Sequence, residues 1–336
     1  MSGPAPGTAT PGPTPGPASS ARPSWAPPSL DSGNLVDPRL SAALRTLELS
    51  VRRRLDGLLQ GNHLGLLPGP GGEPGEARVY QPGDDVRRMD WSVTARTGEA
   101  HIRQTVADRE LETWVVLDLS PSLDFGTAAC EKRDLAVAAL AAIVHLTAGG
   151  GNRIGAVIST GATQVRVPAR SGAVHARTLL RTAATTPRAA DGTRGDLAAA
   201  LEALRRPPRR RGFAVVISDF LGDLDWARSL RGLTARHDLL AVEVLDPRDV
   251  ELPDVGRVVL SDPESGRTRE LTATARLRTD FAAAAQAHRR DVEVALRRAG
   301  CARLALRTDS DWIADVVRFA GSRKRGYVSA VGAGRS

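Results

Sequence analysis

Thr113-Trp114-Val115-Val116-Leu117-Asp118-Leu119-Ser120-Pro121-Ser122 decides the reading of this chain. The short apolar run from Thr113 to Leu117 is what a strand buried on both faces requires. It ends on a carboxylate, with hydroxyls two and four residues further on. Phe213-Ala214-Val215-Val216-Ile217 is a second fully apolar run, ending on Ser218-Asp219, and Leu239 to Leu245 reads as a third. Further strands are expected over Arg153 to Thr160, Gln164 to Val167 and Ala302 to Leu306. Helices are expected between them. Glu131 to Thr147 has so few polar positions that it should be sandwiched rather than lie on the surface. Ala173 to Thr182 follows, then Leu197 to Leu204, stopped by Pro207. Leu277, Phe281, Ala285, His288, Val292 and Leu296 line one face of a helix that Gly300 ends, and Ser310 to Phe319 is the last. Strands alternating with helices predict an α/β, Rossmann-like fold, a mostly parallel sheet with helices on both faces. Sites in such folds sit at the carboxyl ends of strands.

Towards the N-terminus the pattern loosens. Leu40, Leu44, Leu47, Val51, Leu55 and Leu58 recur at helical spacing within Arg39 to Leu59. A Gly/Pro-rich loop spans Gly61 to Gly75, and Arg78 to Arg109 is polar and irregular. Four regions are therefore expected. Residues 1–38 are a Pro/Ala/Gly-rich leader without fixed structure, and 39–111 an irregular and helical extension. Residues 112–322 are the α/β domain, and 323–336 a flexible basic tail.

The net charge of +8 in 336 residues raises a nucleic-acid reading. Yet Lys132 and Lys324 are the only lysines, the arginines are spread along the chain, and aromatics are only 4%, too few for base-stacking platforms. A solvated basic surface is expected, with no nucleic-acid partner. The alternative rests on Arg205-Arg206-Pro207-Pro208-Arg209-Arg210-Arg211 and on Arg323-Lys324-Arg325. No apolar run reaches the length of a membrane span, and the N-terminus lacks the pattern of a secretory signal. Cys130 and Cys301 form no ligand spacing and no disulfide framework. A cytoplasmic setting follows.

Asp118, Ser120 and Ser122 offer three oxygens from one tight loop, and Asp219 lies on the same rim. Hard cations such as Mg²⁺ or Mn²⁺ take oxygen ligands of this kind. Asp191-Gly192-Thr193-Arg194-Gly195-Asp196-Leu197 opens a helix and offers Thr193 as a further hydroxyl. The plainer alternative has the two serines shape a turn and Asp118 cap the next helix.

Asp118-x-Ser120-x-Ser122 with Ser218-Asp219 resembles the metal-ion-dependent adhesion site of von Willebrand A domains. The resemblance implies that Ser120, Ser122 and a loop threonine bind the metal directly, while Asp118 and Asp219 act largely through water. This chain has Gly195 where that family usually carries the threonine, leaving Thr193 as the nearest hydroxyl. A second motif reads Tyr80, Gly83, Asp84, Asp85, Arg87, Asp90, Trp91, then Ala95-Arg96 and Arg103. Joined to the metal-site strand, it resembles the bacterial domain-of-unknown-function fifty-eight family. That family is similar to von Willebrand A proteins and is commonly associated with MoxR-type AAA+ ATPases. The resemblance implies an adaptor or chaperone-like, metal-dependent interaction module. The second motif is either a buried ion network bracing the sheet or a partner surface, with Trp91 expected in the core.

Enzyme readings find less support. An aspartyl-nucleophile phosphatase normally places a second Asp where Ser120 stands, and no Gly-x-Ser-x-Gly elbow is present. The six histidines show no metal-binding spacing. No catalytic residue is assigned. A metal-assisted phosphoester hydrolase is the remaining enzymatic alternative.

Overall fold

The computed structural model describes residues 22–30, 37–59, 77–81, 86, 89–103, 111–147, 151–190, 192–205, 212–261 and 265–333. Helix α1 (Pro38–Leu59) comes first, then β1 (Ala77–Val79), α2 (Trp91–Thr97) and β2 (His101–Arg103). The regular part follows as β3 (Glu112–Asp118), α3 (Lys132–Thr147), β4 (Arg153–Ser159), β5 (Gln164–Arg170), α4 (Ala173–Ala184) and α5 (Leu197–Arg205). Then come β6 (Gly212–Ser218), α6 (Trp226–Leu233), β7 (His237–Leu245), β8 (Arg257–Ser261), β9 (Thr268–Thr272), α7 (Ala275–Arg298), β10 (Ala302–Arg307) and α8 (Trp312–Ala333).

Six strands form one sheet in the order β10-β7-β6-β3-β4-β5. Every neighbouring pair is parallel except β4 and β5, which are antiparallel. The chain starts in the middle at β3, moves outward through β4 and β5, returns to β6 beside β3, and then moves outward the other way. Such a reversal opens a crevice between the carboxyl ends of the two central strands, here β3 and β6.

Alternation along those strands divides the core. Val115, Leu117, Val215 and Ile217 face a cluster that includes α1, α3, α4 and α8. Trp114, Val116, Ala214 and Val216 face the other, with α5, α6 and α7. Helix α3 lies against the sheet and is covered in turn by α1, so it is buried almost all round. That double covering is why its sequence carries so few polar residues.

Several expectations change. The leader was expected to lack structure throughout residues 1–38, yet within it the stretch 22–30 packs on the core. Leu30 is buried, its N–H donates to Asp134 Oδ1 at 2.9 Å, and the Trp312 indole donates to the Trp25 carbonyl at 2.9 Å. Trp25 and Leu30 are large apolar residues in a Pro- and Ser-rich stretch, and burying them offsets the cost of ordering it. Helix α8 continues to Ala333 where a flexible tail was expected from residue 323. The segment over 78–109 holds an antiparallel β1–β2 pair and α2 rather than only irregular chain. Helix α6 and the β8–β9 hairpin were not anticipated. The loop of Gly61 to Gly75 lies outside the described residues. Among the described residues no helix is long and apolar enough to cross a membrane.

The packing of residues 22–30 against α3 gives one stability prediction. Burial pushes Asp134 up to about 6, against the pull of the Leu30 N–H. A folded-state value above the unfolded 3.8 means the contribution is complete below that value and is lost as pH rises through about 6. Relative to Asp134→Asn, the wild-type chain should therefore lose on the order of 2 kcal/mol between about pH 4 and about pH 7. Urea unfolding of both proteins across that range checks it.

Candidate metal centre

The carboxyl end of β3 turns sharply. Asp118 Oδ1 accepts from the Ser120 N–H at 2.9 Å, the local bond by which an aspartate closes a turn on its own backbone. Pro121–Leu123 is a single 3₁₀ turn beginning at Ser120. It brings the Ser120 and Ser122 hydroxyls to 3.2 Å of each other, both buried. The end of β6 meets this loop directly, because Ser218 Oγ donates to Asp118 Oδ2 at 2.7 Å. Two strand tips a hundred residues apart in sequence are thus joined by one hydrogen bond.

After Ser218-Asp219 the backbone enters a strained conformation. Phe220 has φ of 53°, and it is the one non-glycine residue with positive φ among those described. Such a conformation costs about 1–3 kcal/mol unless its surroundings impose it. Here they do. Ser218 Oγ accepts from the Phe220 N–H at 3.1 Å, His288 Nε2 bonds the Phe220 carbonyl at 2.8 Å, and the phenyl ring meets Trp226 edge-on at 5.1 Å. Arg289 donates to the Asp219 carbonyl at 2.9 Å and also binds Glu243, a fully buried carboxylate on β7.

The strongest charge contact at the site was not foreseen. Lys132, at the start of α3 and 1% exposed, donates to Asp219 Oδ2 at 2.9 Å and to Asp249 Oδ1 at 3.0 Å. Burial opposes its charge, but Asp219 and Asp249 outweigh burial and hold the ammonium above its usual value. The available clue was a lone lysine opening an apolar helix in an arginine-dominated chain. Asp118 has no such cation among the described residues; its partners are the Ser218 and Ser120 hydroxyls and the Ser120 N–H. Burial first, and the charge of Asp219 second, push it up to about 6. A buried carboxylate facing another without its own counter-ion is where a cation gains most.

Asp118, Ser120, Ser122, Ser218 and Asp219 line one cleft of about 360 Å³. The donors are hydroxyls and carboxylates, the oxygen set that Mg²⁺ or Mn²⁺ prefers, so these residues fit such an ion. Among the described residues no group of three His, Cys, Asp or Glu side chains is placed to hold a metal. A cation here would depend on the serine hydroxyls. Lys132 leaves Asp219 Oδ1 with a 3.3 Å bond from the Leu221 N–H, and a carboxylate oxygen retains further acceptor capacity. Thr193 does not join the other four. Its hydroxyl donates to the Ala190 carbonyl at 2.6 Å, and Arg194, Gly195 and Asp196 line the cleft instead. The turn closed by that bond directs the hydroxyl back into its own loop.

Of the second motif, Gly83, Asp84, Asp85 and Arg87 lie outside the described residues, as does the side chain of Arg103. Tyr80 is half-buried and Arg96 exposed. Asp90 is buried and caps α2 by accepting from the Ser92 and Val93 N–H groups at 3.1 and 3.2 Å. Trp91 was expected in the core but is 70% exposed. It is the first residue of the helix that Asp90 caps, and the ring is left facing solvent. None of the described residues of this motif lines the cleft.

The family described as "Protein of unknown function DUF58" matches residues 76–291. An uncharacterized protein of Mycobacterium tuberculosis (strain H37Rv) is 66% identical over 303 residues, covering 90% of this chain and 96% of the relative. One from Mycobacterium bovis has the same identity and coverage. Among solved structures, the conserved hypothetical protein BatB from Bacteroides thetaiotaomicron aligns with a TM-score of 0.39 and 12% identity, over 64% of this chain and 99% of that one. An aerotolerance-related membrane protein from Bacteroides fragilis aligns at 0.37 and 14%, over 63% and 99%.

Proposed function

We propose, from the premise that this chain belongs to the DUF58 family of proteins of unknown function, that it is a non-catalytic, metal-dependent protein-interaction module on a von Willebrand A-type sheet. One observation carries the proposal. The Ser218 hydroxyl bonds Asp118 at 2.7 Å across the crevice between the two central strands, beside the paired hydroxyls of Ser120 and Ser122. The reversal of strand order at that crevice and the oxygen-only donor set support the same reading.

Ser120 and Ser122 would hold Mg²⁺ or Mn²⁺ directly, with Asp118 and Asp219 holding its waters. A bound dication would supply an open coordination position for an oxygen of a partner. The protein's own residues prepare that position. Ser218 and the Ser120 N–H align Asp118, Lys132 anchors Asp219, and the strained Phe220 turn fixes the end of β6. Neutral hydroxyls leave most of the ion's charge uncompensated, which favours a carboxylate from the partner.

A MoxR-type AAA+ ATPase is the proposed partner, with this chain as its adaptor; the support is the family resemblance carried by Tyr80 to Arg103. Purified chain immobilised with Mg²⁺ should retain a MoxR-type ATPase of the same organism and release it on addition of EDTA. Retention that is indifferent to the chelator, or no retention at all, would contradict the assignment.

A further inference from the structure

Resting on the metal-dependent reading above, the surroundings of Glu243 bring a residue outside the cleft into the metal centre. Glu243 on β7 is fully buried and is met by two arginines. Arg303, from β10, places Nε at 2.6 Å and Nη2 at 2.5 Å from Glu243 Oε2. Arg289, from α7, places Nη1 at 2.5 Å from Oε1. One carboxylate needs one guanidinium to balance its charge, and Arg303 meets that need with two nitrogens. Arg289 binds with a single nitrogen, and its buried Nη2 has no acceptor among the described residues. Leaving a buried donor unpaired is costly, so compensation of Glu243 does not by itself account for this second arginine.

The same Nη1 reaches beyond the ion pair to the Asp219 carbonyl at 2.9 Å. That carbonyl and the Phe220 N–H belong to one peptide unit. The N–H donates to Ser218 Oγ at 3.1 Å, and the Ser218 hydroxyl donates to Asp118 Oδ2 at 2.7 Å. A continuous chain of hydrogen bonds therefore runs from a guanidinium, through a peptide and a hydroxyl, to a carboxylate of the metal centre. Every donor in it points the same way. A cation on the carbonyl makes the peptide N–H a better donor, and a hydroxyl that accepts a stronger bond donates more strongly in turn. The contact also holds the peptide that leads into the positive φ of Phe220, beside the His288 bond to the next carbonyl.

We propose that Arg289 is a positioning residue of the metal centre, acting on Asp118 through the 219–220 peptide and Ser218, whereas Arg303 serves to neutralise Glu243. Arg289 is not among the residues that line the cleft, so it acts on a bound ion only through this chain.

Titration of Mn²⁺ into the folded full chain and its variants tests the assignment. Arg289→Lys keeps a charge beside Glu243, but its shorter side chain stays with the carboxylate and gives up the neutral carbonyl. It should unfold close to wild type yet bind Mn²⁺ about fivefold more weakly, less than the ~10–100-fold typical of removing a direct outer-shell partner. Arg289→Met should weaken Mn²⁺ binding by at least as much. Arg303→Met should lower the unfolding midpoint but leave Mn²⁺ affinity within about twofold of wild type, since Arg303 bonds no member of the chain beyond Glu243. In a Ser218→Ala background, where the chain is already cut, Arg289→Lys should add less than about twofold. Wild-type Mn²⁺ affinity in Arg289→Lys, an equal loss in Arg303→Met, or the full loss persisting in the Ser218→Ala background would overturn the assignment and leave the metal site standing. A flat titration of the folded wild-type chain would remove the metal reading and this assignment together.

Discussion

Replacing Lys132 with alanine should destabilise the chain by about 3–5 kcal/mol, the cost typical of removing one partner from a buried ion pair. Its ammonium is almost wholly buried, and it contacts two carboxylates, Asp219 and Asp249, which are themselves buried or nearly so. Without it, both are left uncompensated in a low-dielectric site, with Asp219 facing Asp118, which is already pushed up to about 6. The loss comes from stranded charge more than from lost attraction. Lys132→Met combined with Asp219→Asn and Asp249→Asn should therefore recover most of it, because a buried ionic cluster contributes little net stability over a neutral one. Denaturant unfolding of the three proteins separates the effects. A loss below about 1 kcal/mol for Lys132→Ala would mean that the cluster is hydrated rather than buried.

Asp118→Ala has the largest expected effect on function. An outer-sphere carboxylate that orients metal-bound water typically changes metal affinity by about 10–100-fold when removed. Capture of the proposed ATPase partner should fail with it. The substitution also strands the Ser218 hydroxyl and the Ser120 N–H, each costing about 1–3 kcal/mol if left unsatisfied. Asp118→Asn is the companion that keeps one acceptor. A folded Asp118→Asn variant should bind Mn²⁺ more weakly than wild type, and Ser218→Ala should weaken it less. Unchanged Mn²⁺ affinity in Asp118→Asn would place the ion elsewhere.

The central strands were legible because their burial on both faces leaves an unbroken apolar run. Each run stops where the chain leaves the sheet, so Asp118 and Asp219 marked the strand ends and hence the rim. Their direct connection through Ser218 was not legible, since a serine before an aspartate carries no pairing information. The β8–β9 hairpin escaped notice because both strands are largely exposed and offer no apolar run. Helix α6 is only eight residues long and buries Trp226, Ser229, Leu230 and Leu233, too short a stripe to stand out.

Errors at individual side chains have a common origin. Thr193 stood nearest in sequence to the position where a threonine is usual, but its hydroxyl closes a local turn on Ala190. Trp91 is aromatic and was assigned to the core, yet the Asp90 cap fixes the start of α2 with that ring outside. Composition ranks residues by type, whereas a single backbone hydrogen bond can decide where a side chain goes. Lys132 was noted as one of two lysines but not as a partner of Asp219, because their 87-residue separation is bridged only by the fold.

Calorimetric titration of Mn²⁺ into the folded full chain tests the metal centre most directly. One equivalent taken up by wild type, with affinity reduced in Ser120→Ala and Asp118→Asn, is the predicted result. A flat titration of a chain shown to be folded would contradict it, leaving the bond between Asp118 and Ser218 as a structural link between two strand tips.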